Sequence, residues 1–332
     1  VVTALQVTRG IMRTMRAMER EAQRAHRMQL AEQKASAKQA LLSASADAAA
    51  KYERFIEFLV DAHRVSLRRR DWAAIANSPT PAKPEPGFDL EKCAQRSLDE
   101  HAPGWFARTF GGAKRERARL HEAIARAKAN DKKAYDEALE KWEQRRSEIE
   151  LAQAVIAGKD EATRTAIQTY ADFGSVAVEG LRFVCNERRV VAIADGFERE
   201  ELPSSTVTLL QSGKASIKAI SAKRQKEIHR DNVCASALRI AVETLKALPI
   251  EAVEVVVLSD ILDAGSGHIE PRPVLYGRFT AQALLTVNLV QADPTLAAER
   301  LGAQFNFSAR DGLRAIDVER FDIANSLLLA DQ

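Results

Sequence analysis

The sequence predicts an α+β fold: a long, coiled-coil-like N-terminal helical hairpin, followed by a mainly antiparallel sheet packed with one main helix. Three observations predict it. Residues 9–70 hold no proline and a single glycine, Gly10, among strong helix formers. A second run, 114–157, repeats that composition. After residue 172 the chain turns to alternating β-branched stretches separated by short turns. On this basis residues 1–172 form an extended helical domain with a proline-rich connection at 78–87, and residues 173–332 form an α+β domain.

In the first long run, Tyr52, Phe55, Ile56, Leu59, Ala62 and Val65 keep helical spacing, so one helix is expected to Arg70, with a break near "SASAD". Pro79, Pro81, Pro84 and Pro86 then alternate with polar residues; proline fixes φ and removes a donor, so this stretch is extended. It reads as a linker, or as a ligand for an SH3-like partner. A short helix is expected at 89–102. In the second long run Leu120, Ile124, Ala127, Tyr135, Leu139, Trp142, Ile149 and Val155 trace an apolar stripe, and Gly158 stops it. Two such helices joined by a compact connection pack most simply as an antiparallel hairpin. A short helix at 160–171 leads out.

Further along, "GLRFVCNERRVVAIADGF" gives a β-hairpin turning at Asn186-Glu187-Arg188, and "STVTLLQSGKASIKAIS" gives a second turning at Ser212-Gly213. Ser221 caps a helix at 222–247 that ends before Pro249 and turns Val233, Ala237, Ile240, Ala241 and Leu245 to the sheet. "VEVVVLSDIL" and "PVLYGRFTA" make a third strand pair, a short helix follows at 294–303, and "LRAIDVER" supplies an edge strand. Strands joined by hairpins do not build a parallel sheet, which disfavours doubly wound and barrel folds.

The bulk composition narrows the function classes. Net charge is +3, so electrostatic arguments rest on local patches. Cys93, Cys185 and Cys234 form no C-x-x-C pair, which suits a reducing cytosol, and the first ten residues are too polar for a signal peptide. No dinucleotide or phosphate-loop fingerprint is present, and "HEAIA" at 121–125 lacks the second histidine of a zinc-protease helix. Neither a cofactor nor a metal is expected.

Two catalytic lookalikes occupy one stretch, "SDILDAGSGHIEPRP". Asp260, Asp263, Ser266 and His268 mimic a Ser-His-Asp set, although their closeness in sequence at a Gly-Ser-Gly bend is that of a hairpin loop. Asp260 with Glu270-x-Arg272 mimics the D…E-x-K pattern of PD-(D/E)XK nucleases, with arginine in place of lysine and with Pro271 and Pro273 disrupting the strand that should hold the motif. The most ordered signal is cationic. Arg9, Arg13, Arg16, Arg20, Arg24 and Arg27 step by three or four and hold one side of a helix, beside Ile11, Met15, Met18, Ala22 and Ala25. Arg68, Arg69 and Arg70 form a second cluster, and Lys223, Arg224 and Lys226 crowd a helix start, where positive charge opposes the dipole. The row is either a solvated face, a grip for an anionic partner such as nucleic-acid phosphate, or a membrane-surface contact; the Met side could pair two chains.

"DWAAIANSPTPAKPEP", "PGWFARTFGGAKRERARL", "SGKASIKAI", "DNVCASALRIAVETLKALP" and "GSGHIEPRPVL" together resemble a family of uncharacterised bacterial proteins with a long charged N-terminal helix. The C-terminal half is similar to a module found beside Mrr-type restriction endonuclease domains. That resemblance implies a link to DNA or to phage defence, and brings no catalytic residues with it. The expectation is a cytoplasmic, non-enzymatic binding or scaffold protein that contacts nucleic acid or self-associates through its helices, with a divergent nuclease as the alternative.

Overall fold

The computed structural model describes residues 4–101, 112–186, 189–198, 201–262, 265 and 267–317, with backbone alone for 4–31 (Met28 excepted) and for 112–113. Among the described residues five helices come first: α1 (Ala4–Val60), α2 (Trp72–Ala76), α3 (Asp89–Asp99), α4 (Gly112–Ile156) and α5 (Asp160–Tyr170). Strands β1 (Val178–Asn186) and β2 (Arg189–Gly196) form one hairpin, β3 (Ser205–Leu209) and β4 (Ala215–Ala219) another. Then come α6 (Ala222–Ala247), β5 (Ala252–Leu262), β6 (Ile269–Thr280), α7 (Ala281–Leu285), α8 (Pro294–Arg300), β7 (Gln304–Ser308) and β8 (Gly312–Arg314).

The fold is α+β with a mixed sheet, ordered β1-β2-β5-β6-β7-β8. Its neighbours are antiparallel except for β2 and β5, which run parallel. That pair is the departure from expectation. A parallel step needs a long crossover, and α6 supplies it. The β3–β4 hairpin, which sits inside the crossover, forms its own two-stranded sheet and packs along α1.

Helix α1 runs unbroken through "SASAD" but stops at Val60, ten residues before its expected end. No glycine or proline stops it. Instead the Asn232 side-chain amide of α6 donates to the Leu59 carbonyl at 3.0 Å, satisfying a helix-end acceptor. His63, wholly buried, donates from Nε2 to the Ala292 carbonyl at 2.8 Å. The chain then runs extended with Val65 and Leu67 against the core. The stripe of α1 that packs is Leu42, Ser45, Ala49, Tyr52, Ile56 and Leu59, while Phe55 stays exposed.

The two long helices find separate partners. α1 packs on α6 and on β3–β4; α4 packs on α2, α3 and α5. Their expected pairing with one another is not among the principal contacts of the described residues. One core nonetheless joins the helical region to the sheet. Trp72, Ala152, Val155, Ala166 and Ile167 are buried in the same cluster as Val233, Leu245, Val255 and Phe279. The Trp72 indole N–H donates to the Ala247 carbonyl at 3.0 Å.

Helix α6 carries its five expected apolar residues into that core, but its other face is buried as well. Buried polar groups need partners, and here they are supplied locally. Ser236 donates to the Ala177 carbonyl, and Glu243 accepts from Lys246 at 2.9 and 3.0 Å and from the Asp172 N–H at 3.2 Å. Under the sheet, Gly277 lets the Phe279 ring approach the backbone: a Cβ there would lie 2.5 Å from the ring. Gly213, at φ +77°, makes the β3–β4 turn against Leu42.

Pro271 and Pro273 lie within β6 and do not disrupt it. β6 meets β7 only at Leu275 and Tyr276, so its outer edge is open at both prolines and no ladder donor is lost there. The Ile316 N–H closes part of that edge on the Pro273 carbonyl at 2.8 Å.

Candidate functional site

The side chains of Arg9, Arg13, Arg16, Arg20, Arg24 and Arg27 lie outside the described residues; their backbone belongs to α1. The second cluster is fully placed. It lies on the extended segment after α1, along the C-terminal end of α6. Arg69 donates to the Ile250 and Leu248 carbonyls at 2.8 and 3.3 Å, which puts positive charge where the helix dipole is negative. The Arg70 guanidinium pairs with Glu148 and stacks over Tyr170, 4.1 Å from its ring centroid, with Trp72 at 5.4 Å. Arg68 is exposed. Arg69 and Arg70 thus hold the crossing segment to α6 and α4.

The basic start of α6 also finds its reason. Lys223 and Arg224 both pair with Glu227, and Lys226 donates to the Arg310 carbonyl. The proline segment lies on its own chain. Pro81 and Pro84 are half-buried, the Trp142 indole donates to the Pro81 carbonyl at 2.8 Å, and Lys83 stands over the Trp142 ring. Pro79 and Pro86 stay exposed.

In the catalytic lookalikes, Asp263 and Ser266 lie outside the described residues, in the loop that joins β5 to β6. The register decides the nuclease geometry. Asp260 stands opposite Pro271, and Glu270 opposite Ile261. Directly opposed residues share a face and successive residues alternate, so Asp260 and Glu270 project from opposite faces of the sheet. Arg272 is ion-paired to Glu270 at 2.8 Å. The structure does not bring Asp260 and Glu270 together.

Asp260 belongs to a different group. Its backbone N–H donates to Glu198 at 2.9 Å, and Glu201 accepts from the Glu198 N–H at 3.1 Å. The Glu179 carboxyl is held above its ordinary range, first because its protonated form donates a hydrogen bond to Glu201, then by slight desolvation and by the charges of Glu201, Glu198 and Asp260. These four carboxylates gather near the carboxyl end of β2. Among the described residues no set of His, Cys, Asp and Glu is arranged to hold a metal, and no helix is long and apolar enough to cross a membrane.

A recess lies at the opposite end of the parallel pair, where β2 and β5 begin. It measures about 640 Å³ and is walled by Val155 and Ile156 at the end of α4, by Thr163 of α5, by Leu248, Pro249 and Ile250 after α6, and by the strand residues Arg189, Glu254 and Arg278. Glu254 is 8% exposed, the one polar residue in the apolar run from Ala252 to Leu258 of β5. Arg189 clasps it with two hydrogen bonds, at 2.9 and 3.0 Å, and the Tyr276 hydroxyl donates to it at 3.2 Å. Burial, then the Glu254 charge, pushes the Tyr276 phenol up to about 12, so it remains a donor. Arg278 stands directly across the ladder from Glu254. This recess was not anticipated from the sequence. The available signal was the lone acid in "AVEVVVL", since a carboxylate inside an apolar strand demands a buried partner.

No family model matches the chain, and neither a curated protein nor a solved structure matches it.

Proposed function

We propose that this chain is a non-enzymatic binding or scaffold protein in which α1 is an arm that grips a polyanion, with nucleic-acid phosphate as its ligand. The observation that carries the reading is that every residue from 32 to 40 is exposed within a helix of 57 residues. At 1.5 Å per residue that helix is about 86 Å long, and among its described side chains the packed stripe begins at Leu42. A helix exposed on all sides gains nothing from packing, so its length serves something outside the body. The arginine spacing of residues 9–27 supplies the chemistry, because guanidinium groups bind phosphate strongly and with geometric tolerance. A second observation points the same way. Between Glu201 and Glu227 the chain carries Lys214, Lys218, Lys223, Arg224 and Lys226 and no acidic residue, and the β3–β4 ribbon within it lies against α1. The resemblance to a module beside Mrr-type restriction endonuclease domains fits a cytoplasmic role in bacterial DNA transactions or antiviral defence.

Fluorescence anisotropy with duplex DNA, single-stranded DNA and RNA, repeated over a salt series, tests the proposal. Six phosphate contacts give a logarithmic salt slope of about −5 on duplex DNA, and replacing the six arginines of residues 9–27 with glutamine flattens it. Affinity that ignores those substitutions refutes the arm. The same exposure supports a second reading, in which the Met side of α1 pairs two chains as a coiled coil. Solution mass with and without the first 30 residues separates the two. Incubation with plasmid and Mg²⁺ or Mn²⁺ addresses the nuclease alternative, for which cleavage lost in Asp260→Ala is the supporting result.

A further inference from the structure

We propose that the recess at the start of β2 and β5 binds a small organic anion, whose carboxylate or phosphate is held by Arg278 and whose apolar body rests on Ile156 and Ile250. Its size is right: about 640 Å³ lies inside the range of roughly 300–1,000 Å³ usual for small-molecule sites. Its wall chemistry is divided in the manner of such sites. α4 and the segment after α6 contribute aliphatic surface, and the strands contribute the charged groups.

The charge balance selects the sign of the ligand. Glu254 is the one buried carboxylate in the wall, and it is already engaged by Arg189 and Tyr276. It therefore does little to neutralise Arg278, which faces it across the ladder and makes no hydrogen bond or ion pair among the described residues. Glu251 is the other acid of the wall; it is exposed, as Arg278 is, and no ion pair joins the two among the described residues. Arg278 is exposed at the mouth of the recess beside the aliphatic surface of Ile156 and Ile250, and a guanidinium so placed is a carboxylate or phosphate receptor. The Arg189–Glu254–Tyr276 clasp fixes the strand ends around it, so the site is formed before the ligand arrives.

The probe is 8-anilinonaphthalene-1-sulfonate, an aromatic anion whose fluorescence reports an apolar environment, titrated into the full chain and then displaced with benzoate or its neutral analogue benzamide. The expected result is a single saturable site. Arg278→Glu weakens it by about tenfold or more, the equivalent of one charge contact. Arg272→Glu, on the same strand outside the recess, leaves it unchanged. Ile156→Trp fills the recess and abolishes binding at unaltered Tm. Benzoate displaces the probe at least about tenfold better than benzamide does, since only benzoate brings the charge. Arg278→Gln stands in if Arg278→Glu lowers Tm. Absence of saturable binding, affinity indifferent to Arg278 or Ile156, or equal displacement by benzamide overturns the proposal. None of these readouts involves nucleic acid, so this site and the α1 arm stand or fall separately.

Discussion

Replacing Arg189 with alanine strips two charge-assisted hydrogen bonds, of 2.9 and 3.0 Å, from the carboxylate of Glu254 and leaves it only the Tyr276 hydroxyl. Breaking a fully buried pair costs about 3–5 kcal/mol, because the surviving charge is uncompensated. Here the Glu254 side chain is 11% exposed but the Arg189 side chain is 39% exposed, so solvent screens the arginine end. Discounting by about half for that screening gives an expected loss of about 2 kcal/mol. Glu254→Leu alone strands Arg189 much less, since its guanidinium can turn to water. In the double variant Arg189→Ala/Glu254→Leu no buried charge remains, and the cycle should return a coupling energy of about 1–2 kcal/mol. Urea unfolding followed by far-UV circular dichroism measures all four proteins, with the midpoint shifting and the slope unchanged. A loss below about 1 kcal/mol in Arg189→Ala, or additive single effects, refutes the claim that the clasp organises this end of the sheet.

Three further outcomes follow from the packing. Trp72→Ala should cost about 3–5 kcal/mol, as a large buried ring is lost; Trp142→Ala, on the half-buried contact with Pro81, should cost about 1 kcal/mol, and equal losses in denaturant melts would contradict the shared core. Glu179 binds its proton more tightly in the folded chain than in the unfolded one, so its contribution is full below the unfolded carboxylate range and is lost as pH rises through the raised folded value. Glu179→Gln should therefore flatten the decline in Tm above that range, and an unchanged pH profile counts against the carboxylate cluster. Burial pushes the Cys234 thiol up to about 12 and also raises Cys185, whereas Cys93 is exposed. A thiol reagent at mildly alkaline pH should label Cys93 alone in the native protein and all three cysteines in denaturant; fast native labelling of Cys234 would show that α6 is not packed as described.

What the sequence by itself determined is local. Helix formers without proline fix α1 and α4, Ser221 with its hydroxyl on the Arg224 N–H starts α6, and alternation with turn residues sets the hairpins β1–β2, β3–β4 and β5–β6. Each of these rests on contacts between residues near in sequence. What only the tertiary structure decided depends on partners far apart in the chain. Helix α1 stops at Val60 because Asn232, 173 residues on, takes the Leu59 carbonyl. The parallel β2–β5 step, the inward turn of Arg69 and Arg70, the opposed faces of Asp260 and Glu270, and the meeting of Arg189, Glu254 and Arg278 all arise from register and crossover. Spacing along the chain ranks which residues can share a face of one element. Which elements face one another is set by the burial of their apolar sides and by the need to satisfy each buried polar group, and those are sums over the whole molecule.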